Sequence, residues 1–308
     1  MIDRIVVPLD GSRVAEQILP HLRRLLFRHD SEVILVRAAV VPPVESSVML
    51  MADALLAGAR DYLMKVQDRL VEQGARVKSV ARLGSPVGVI LDVAREERAT
   101  MLALATHGET GLKRLLVGSV AEALLKKSPV PVFVVRPFWS YELLPSRVDM
   151  DEHRPIRKIL FSLDESDDAK DPLSPLVELA ELFGASVVLL KVRPPENRKG
   201  KDSSSRRMKE AAHLTGYAQA LLARGIPTIP VLGKGEPADE VLAMARAHEI
   251  DLIAMTTREK SGFLQFLSGS VAGKVLREST CPLLVVRSPE PRGEKRKPAS
   301  AGMAGRRG

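Results

Sequence analysis

The chain repeats itself. At a spacing of 151 residues, Gly84-Ser85-Pro86 returns as Gly235-Glu236-Pro237, Gly118-Ser119-Val120-Ala121 as Gly269-Ser270-Val271-Ala272, and Pro131 before Val134-Val135-Arg136 as Pro282 before Val285-Val286-Arg287. Asp10, which follows the first apolar stretch, matches Asp164 at a spacing of 154. Self-similarity on this scale means one domain present twice, and it accounts for a length of 308 residues better than two unlike domains do. The units expected are residues 1–137 and 156–288, with a linker at 138–155 and a tail at 289–308. The linker holds Phe138, Trp139 and Tyr141 in a chain of only 4% aromatic residues, so it reads as docked.

Within each unit, apolar runs of strand length alternate with stretches of helical period, the pattern of β-α-β crossovers. In the first unit the expected strands are residues 4–9, 32–38, 75–83, 100–105 and 132–136. Val33-Ile34-Leu35-Val36 and Val132-Phe133-Val134-Val135 are apolar at every position. That requires both faces of the sheet to be covered, as in a parallel sheet between helix layers. Ile18, Leu22, Leu25 and Leu26 lie at helical spacing within residues 14–27. Gly74 stands where a helix ending near Gln73 needs a left-handed cap, and Pro86 and Pro237 each open a helix, where a missing N–H costs nothing. The fold class expected is therefore α/β, two repeated doubly wound domains.

Composition narrows the function. Apolar residues make up 45% and charged residues 27%, at a mean hydropathy of zero, the balance of a soluble globular chain. No apolar run reaches the ~18 to 20 residues of a membrane span, and the start lacks the pattern of a secretory signal, so no membrane insertion and a cytoplasmic location are expected. Cys281 is the only cysteine, which excludes disulfide and zinc-cysteine scaffolds, and it reads as a small apolar residue. Residues 288–308 carry six basic and two acidic side chains, a balance of +4, and residues 193–209 carry seven and two, a balance of +5. Together they exceed the whole chain's +8, so the remainder is close to neutral. Basicity confined to two polar segments reads as solvated loop and disordered tail, and nucleic acid is not an expected partner.

Ligands of an open parallel sheet bind outside the carboxyl ends of its strands. Two segments of the first unit stand there: Val7-Pro8-Leu9-Asp10-Gly11-Ser12, and Ala105-Thr106-His107-Gly108 with Gly118-Ser119 after it. Gly108 and Gly118 let backbone approach a ligand, and Ser119 offers a hydroxyl beside unpaired helix N–H groups, the makings of a phosphate cradle. By spacing alone, the same residues also read as a turn at Gly118 and a helix cap at Ser119.

With these residues in place, the chain resembles a tandem universal stress protein, whose domain carries the nucleotide motif G-x-x-G-x9-G-[S/T]. The likeness covers nearly all of both units, including the Pro-x-Asp after the first strand, the Gly-x-Pro before the third helix and the closing apolar strand. It implies a five-stranded parallel sheet between helices in each unit, the adenine nucleotide alpha hydrolase-like arrangement. Many members of the family bind ATP and others bind none. Carried over, it places Pro8 and Asp10 by the nucleoside, Ala38 near adenine, and His107, Gly108, Gly118, Ser119 and Val120 around the phosphates. Ala105 takes the first glycine position of the motif, where a methyl that narrows the approach costs roughly 1 kcal/mol.

The second unit departs further. Thr256 and Glu259 fall at the two earlier glycine positions, Ser162 replaces the proline, and Asp164 remains. A carboxylate at Glu259 would repel phosphate by several kcal/mol at about 4 Å if poorly solvated. The expectation is one competent site, taking ATP with or without Mg²⁺ in the first unit only, and one degenerate site.

Other features read as structural. His107 lacks a carboxylate or nucleophile at fixed spacing and reads as a phosphate or backbone contact. Ser119 lacks the turn context of a hydrolase nucleophile, and the P-loop G-x-x-x-x-G-K-[S/T] is absent, so no catalytic residue is assigned and ATP turnover is expected to be slow at most. Asp10 reads equally as a Mg²⁺ contact through phosphate oxygens or as a solvated loop aspartate. Val48-Met49-Leu50-Met51 reads as packing at a helix head. The expected function is a cytosolic stress-response regulator or sensor of an adenine nucleotide; the alternative is a nucleotide-free interaction scaffold. In the family the closing strand, here residues 132–136 and 283–287, commonly mediates pairing, which implies an internal pseudo-dimer of the two units or a homodimer.

Overall fold

The computed structural model describes residues 2–26, 31–41, 48–106, 117–136, 155–163, 174–193, 204–257 and 271–287. The linker aromatics, the basic tail and residues 194–203 of the basic segment lie outside the described residues.

Strands β1 (Arg4–Pro8), β2 (Glu32–Ala39), β3 (Arg76–Leu83), β4 (Met101–Ala105) and β5 (Val132–Val135) belong to the first unit. Strands β6 (Lys158–Leu163), β7 (Ser186–Arg193), β8 (Thr228–Lys234), β9 (Leu252–Thr257) and β10 (Leu283–Arg287) belong to the second. They form one sheet in the order β3-β2-β1-β4-β5-β10-β9-β6-β7-β8. Every neighbouring pair is parallel except β5 with β10, which is antiparallel.

Alternation along the strands divides the apolar side chains into two cores. One lies beneath α1 (Leu19–Leu26), α2 (Val48–Val71), α5 (Ser174–Phe183) and α6 (Ser204–Ala223). The other lies beneath α3 (Pro86–Glu96), α4 (Ser119–Lys127), α7 (Pro237–Ala247) and α8 (Val271–Glu278). Ile5, Val6 and Val7 are all fully buried, although they point to opposite faces. That is why the strands read as unbroken apolar runs.

The first helical segment differs from expectation. Residues 15–18 form a 3-10 turn before α1, with the Leu19 amide bonded to the Glu16 carbonyl. Pro20 has no N–H to return to Glu16, so the preceding turn closes in the tighter form. In α2, Ala52, Ala59, Leu63, Val66 and Leu70 make one buried stripe. Met51 is 46% exposed, so the packing expected for the start of this helix is not made by that side chain.

The repeat extends to details that residue identity hides. Gly84 and Gly235 both have positive φ, and each donates its amide to the end of the second strand of its unit, to the carbonyls of Ala39 and Arg193. Arg98 and Glu249, chemically opposite, both occupy the left-handed region after α3 and α7. Ser128 and Ser279 both turn their hydroxyls onto the carbonyl two residues ahead, that of Val130 in one unit and of Cys281 in the other. Cys281 thus stands where the first unit has valine, and burial pushes its thiol pKa up. It behaves as a small apolar residue.

The outer edges are guarded. On β3, Lys78 pairs with Glu97 at 2.6 Å and Arg82 with Glu96 at 2.5 Å. On β8, Pro230 withholds a ladder donor. Charge and proline at an edge discourage further strands.

Candidate nucleotide crevice of the first unit

Strand order locates the crevice. From β1 the chain crosses to β2 and β3 on one side, while β4 and β5 lie on the other. The crossovers on either side of β1 and β4 run in opposite directions, which opens a cleft at their carboxyl ends. Pro8 ends β1 and Ala105 ends β4, and Ile5 and Val6 pair with Met101 and Leu102 to fix their level.

The loop leaving β1 is built locally. Asp10 accepts the Ser12 amide at 2.9 Å, and Ser12 in turn accepts the Ala15 amide on its hydroxyl at 3.0 Å. This pair of side-chain turns starts the 3-10 segment without help from the rest of the fold. Gly11 has φ +96, and a Cβ there would stand 2.9 Å from Nη2 of Arg37. Arg37 supports the loop from below: its guanidinium lies 4.8 Å from the centre of the Tyr62 ring on α2. Tyr62 donates to Glu16 Oε1 at 3.0 Å, and Arg69 donates to Glu16 Oε2 at 2.9 Å. Burial, then the charge of Glu16 and the hydrogen bond to it, hold the Tyr62 phenol well above its ordinary pKa, while Arg37 opposes the shift. Neither Arg37 nor Tyr62 stood out in the sequence; only the order of β1 and β2 brings them under residue 11.

The other wall is tied with equal economy. Thr106, 1% exposed, donates its amide to Val135 and accepts the Gly118 amide at 2.7 Å. The chain therefore leaves β4 and re-enters α4 at one point. His107 and Gly108, expected at the phosphates, lie outside the described residues. Gly118 is the N-cap of α4, with φ −60 and ψ 146, and Ser119 is the first helical residue. This corrects the reading of Ser119 as cap. It also shows that Gly118 is not required by its dihedrals, since extended backbone suits any residue. The first intrahelical amide is that of Glu122, bonded to the Gly118 carbonyl at 2.9 Å. The amides of Ser119, Val120 and Ala121 precede it and so have no acceptor within the helix, at the end where the helix dipole is positive.

Ala38 lies on the sheet face that carries α3 and α4, half-buried and packed against that core, as is Val120. Its register partner is Arg82, two residues beyond the level at which Val36 meets Pro8, so Ala38 projects past the end of β1. Ala105 alternates to the opposite face. Its methyl joins the core of Leu9, Ala15, Ile18 and Val135. The narrowing expected from that methyl is therefore directed away from Ala38 and α4. Thr106, next in alternation, is the residue whose side faces α4.

In the second unit, Ser162 and Thr256 are half-buried at the ends of β6 and β9. Asp164, Glu259, Gly269 and Ser270 lie outside the described residues. One difference is plain. A Cβ on Gly84 would meet Val89 at 3.1 Å, whereas a Cβ on Gly235 would meet Glu240 Oε1 at 3.0 Å. Val89 and Glu240 are 151 residues apart, so a carboxylate replaces an isopropyl group beside Val192, the residue that stands where the first unit has Ala38.

Comparison with known proteins places both units. The model of the family described as "Universal stress protein family" matches residues 1–136 and again 155–287. A universal stress protein of Methanocaldococcus jannaschii is 32% identical over 138 residues, covering 43% of this chain and 81% of its own. A second from the same organism is 28% identical over 155 residues, covering 44% of this chain and 96% of its own. The crystal structure of a universal stress protein from Archaeoglobus fulgidus superposes on both units together with a TM-score of 0.71. It is 20% identical and covers 94% of this chain and 98% of its own, a likeness of fold.

Proposed function

Because this chain belongs to the universal stress protein family, with the family's domain present twice, we propose that its first unit binds ATP or a related adenine nucleotide in the β1–β4 crevice. Occupancy then tunes conformation or partner binding in a cytosolic stress response. The observation that carries this reading is the amino end of α4. Three amides without helical acceptors follow a glycine whose backbone conformation does not call for glycine, at the switch point of a parallel sheet. A residue without a Cβ at such a place favours close approach by an anion. Ala38, on the same face, offers an apolar contact to a base, and Asp10, exposed beyond β1, stands on the nucleoside side of the crevice. A Mg²⁺ ion on the phosphates would take few protein ligands, of which Asp10 is the candidate. His107 and Gly108 remain assigned to the phosphates by the family motif.

We assign nucleotide to the first unit alone. Glu240 places a carboxylate beside Val192 in the second unit, which disfavours an electron-rich purine there and adds to the motif departures at Thr256 and Glu259. The role is regulatory, with slow hydrolysis at most, since the sequence has no P-loop to organise the chemistry.

A second reading, a nucleotide-free scaffold acting through its paired units, is favoured by the β5–β10 ladder. Mass spectrometry of nucleotide released from freshly purified protein separates the two. Released adenine nucleotide at up to one equivalent per chain supports the sensor, and two equivalents remove the assignment to one unit. No released nucleotide, together with no calorimetric ATP binding, leaves the scaffold.

A further inference from the structure

The seam between the units is symmetric in backbone and asymmetric in charge. Phe133 stands opposite Leu284, with Val134 opposite Leu283 and Val132 opposite Val285. Residues 133 and 284 are separated by the repeat spacing, so each is the other's counterpart, and a local two-fold passes between them. Every side-chain contact across such a seam has a mirror position.

On one side, Arg24 of α1 reaches Asp251 at the start of β9, with Nη2 to Oδ1 at 3.8 Å and side-chain exposures of 17% and 8%. Asp251 is held for this contact by its other oxygen, which accepts the amides of Arg157 at 2.9 Å and Lys158 at 3.0 Å. At the mirror position the counterpart of Asp251 is Thr100, whose hydroxyl accepts the amides of Asp3 and Arg4, both at 3.1 Å. The cap is kept and the charge is lost. The counterpart of Arg24, at the 154-residue spacing that aligns β1 with β6, is Glu178.

We propose that Arg24 and Asp251 encode the choice of partner at this seam, so that the closing edge of the first unit takes the chain's own second unit and identical units are rejected. Two second units paired in this way would bring Asp251 to the seam twice, with the exposed Glu178 and no basic side chain at the position that Arg24 takes in the first unit. Two first units would set Arg24 toward the uncharged Thr100 in place of Asp251. Only unlike units bring opposite charges together, and the covalent tether favours the pair within one chain. The inference rests on pairing of the units and is independent of nucleotide.

The test is hydrogen exchange on the full-length chain, reading residues 132–135 and 283–287 against residues 32–39 and 186–193 as internal reference. Arg24→Glu should raise exchange at the seam by roughly tenfold over the reference strands, within the range for contacting charges. Adding Asp251→Asn, which removes the repulsion and keeps an oxygen for the two amides, should return most of that protection. Seam exchange unchanged by Arg24→Glu, or no recovery in the double variant, overturns the proposal. Where Arg24→Glu exposes the reference strands equally, the cycle of Arg24→Ala with Asp251→Asn decides. Effects that multiply independently overturn the proposal, and coupling at the seam upholds it. Nucleotide release is unaffected by either outcome and tests the other reading separately.

Discussion

Replacing Gly118 by alanine adds one methyl at the N-cap of α4, where φ is −60 and ψ 146. Two stability terms oppose each other there. Alanine is a poorer N-cap than glycine, while losing a glycine from an ordinary backbone basin stabilises through the unfolded chain by about 0.4–1 kcal/mol. The net change in folding is expected within about 1 kcal/mol, which in a chain of this length moves the melting temperature by roughly 2–4 °C at most. Binding has no such offset. If phosphate packs against the Cα of Gly118, a methyl there overfills the contact at a cost of about 1–3 kcal/mol, a loss of roughly 5- to 150-fold in ATP affinity. Gly118→Val should lose more, again with little change in melting. Calorimetric titration with ATP and a thermal melt of each variant measure the two effects separately. Wild-type affinity in Gly118→Ala would refute the close approach, and a fall in stability of several kcal/mol would show that the glycine serves the backbone after all.

Four further substitutions test the surroundings. Gly11→Ala forces an L-residue to φ +96 and sets a Cβ against the movable tip of Arg37, so urea unfolding should show about 1–3 kcal/mol of destabilisation. Adding Arg37→Ala should relieve only the contact, and full recovery would show that backbone strain is not the cause. His21 has its pKa lowered to about 4 from 6.5, by burial first and by Arg24 second, and its buried Nδ1 has no hydrogen-bond partner. Its folded pKa lies below the unfolded one, so its contribution is fully present above pH 6.5 and is lost as pH falls toward 4. At 1.36 kcal/mol per unit over that 2.5-unit difference, the loss is about 3 kcal/mol. His21→Leu should flatten this acid limb of the stability curve, and an unchanged slope would assign it to other groups. Tyr62 is shifted the other way, so its contribution is present below pH 10 and is lost as pH rises beyond. Phenolate absorbance should show one of the three tyrosines ionising late in the wild type, and Tyr62→Phe should remove that late step together with the alkaline loss of stability.

What the amino-acid sequence determined by itself is what depends on neighbours along the chain. Unbroken apolar runs called for a sheet covered on both faces; Pro86 and Pro237 began helices; a period of 151 residues doubled the unit. The Asp10-Gly11-Ser12 turn is local in the same sense, since its hydrogen bonds close within a few residues, although the sequence reads there only as a loop aspartate or a Mg²⁺ contact. The resemblance to a known family then assigned nucleotide contacts by residue; of those described, Pro8, Asp10 and Ala38 stand at or just past the carboxyl ends of β1 and β2, and Gly118, Ser119 and Val120 at the amino end of α4.

The tertiary structure decided whatever depends on strand order and on the face a residue takes. Alternation along β4 turned the Ala105 methyl away from α4, and a single-residue change of phase would have reversed that. The Gly118 amide is spent on the Thr106 carbonyl, so the free donors begin one residue later. Arg37 reached the underside of Gly11, and Arg24 met Asp251, across 26 and 227 residues of chain. Contacts of that kind carry no local signature, because the side chains that make them are chosen by packing between distant segments, and sequence spacing records only what a helix turn or a strand pleat brings together.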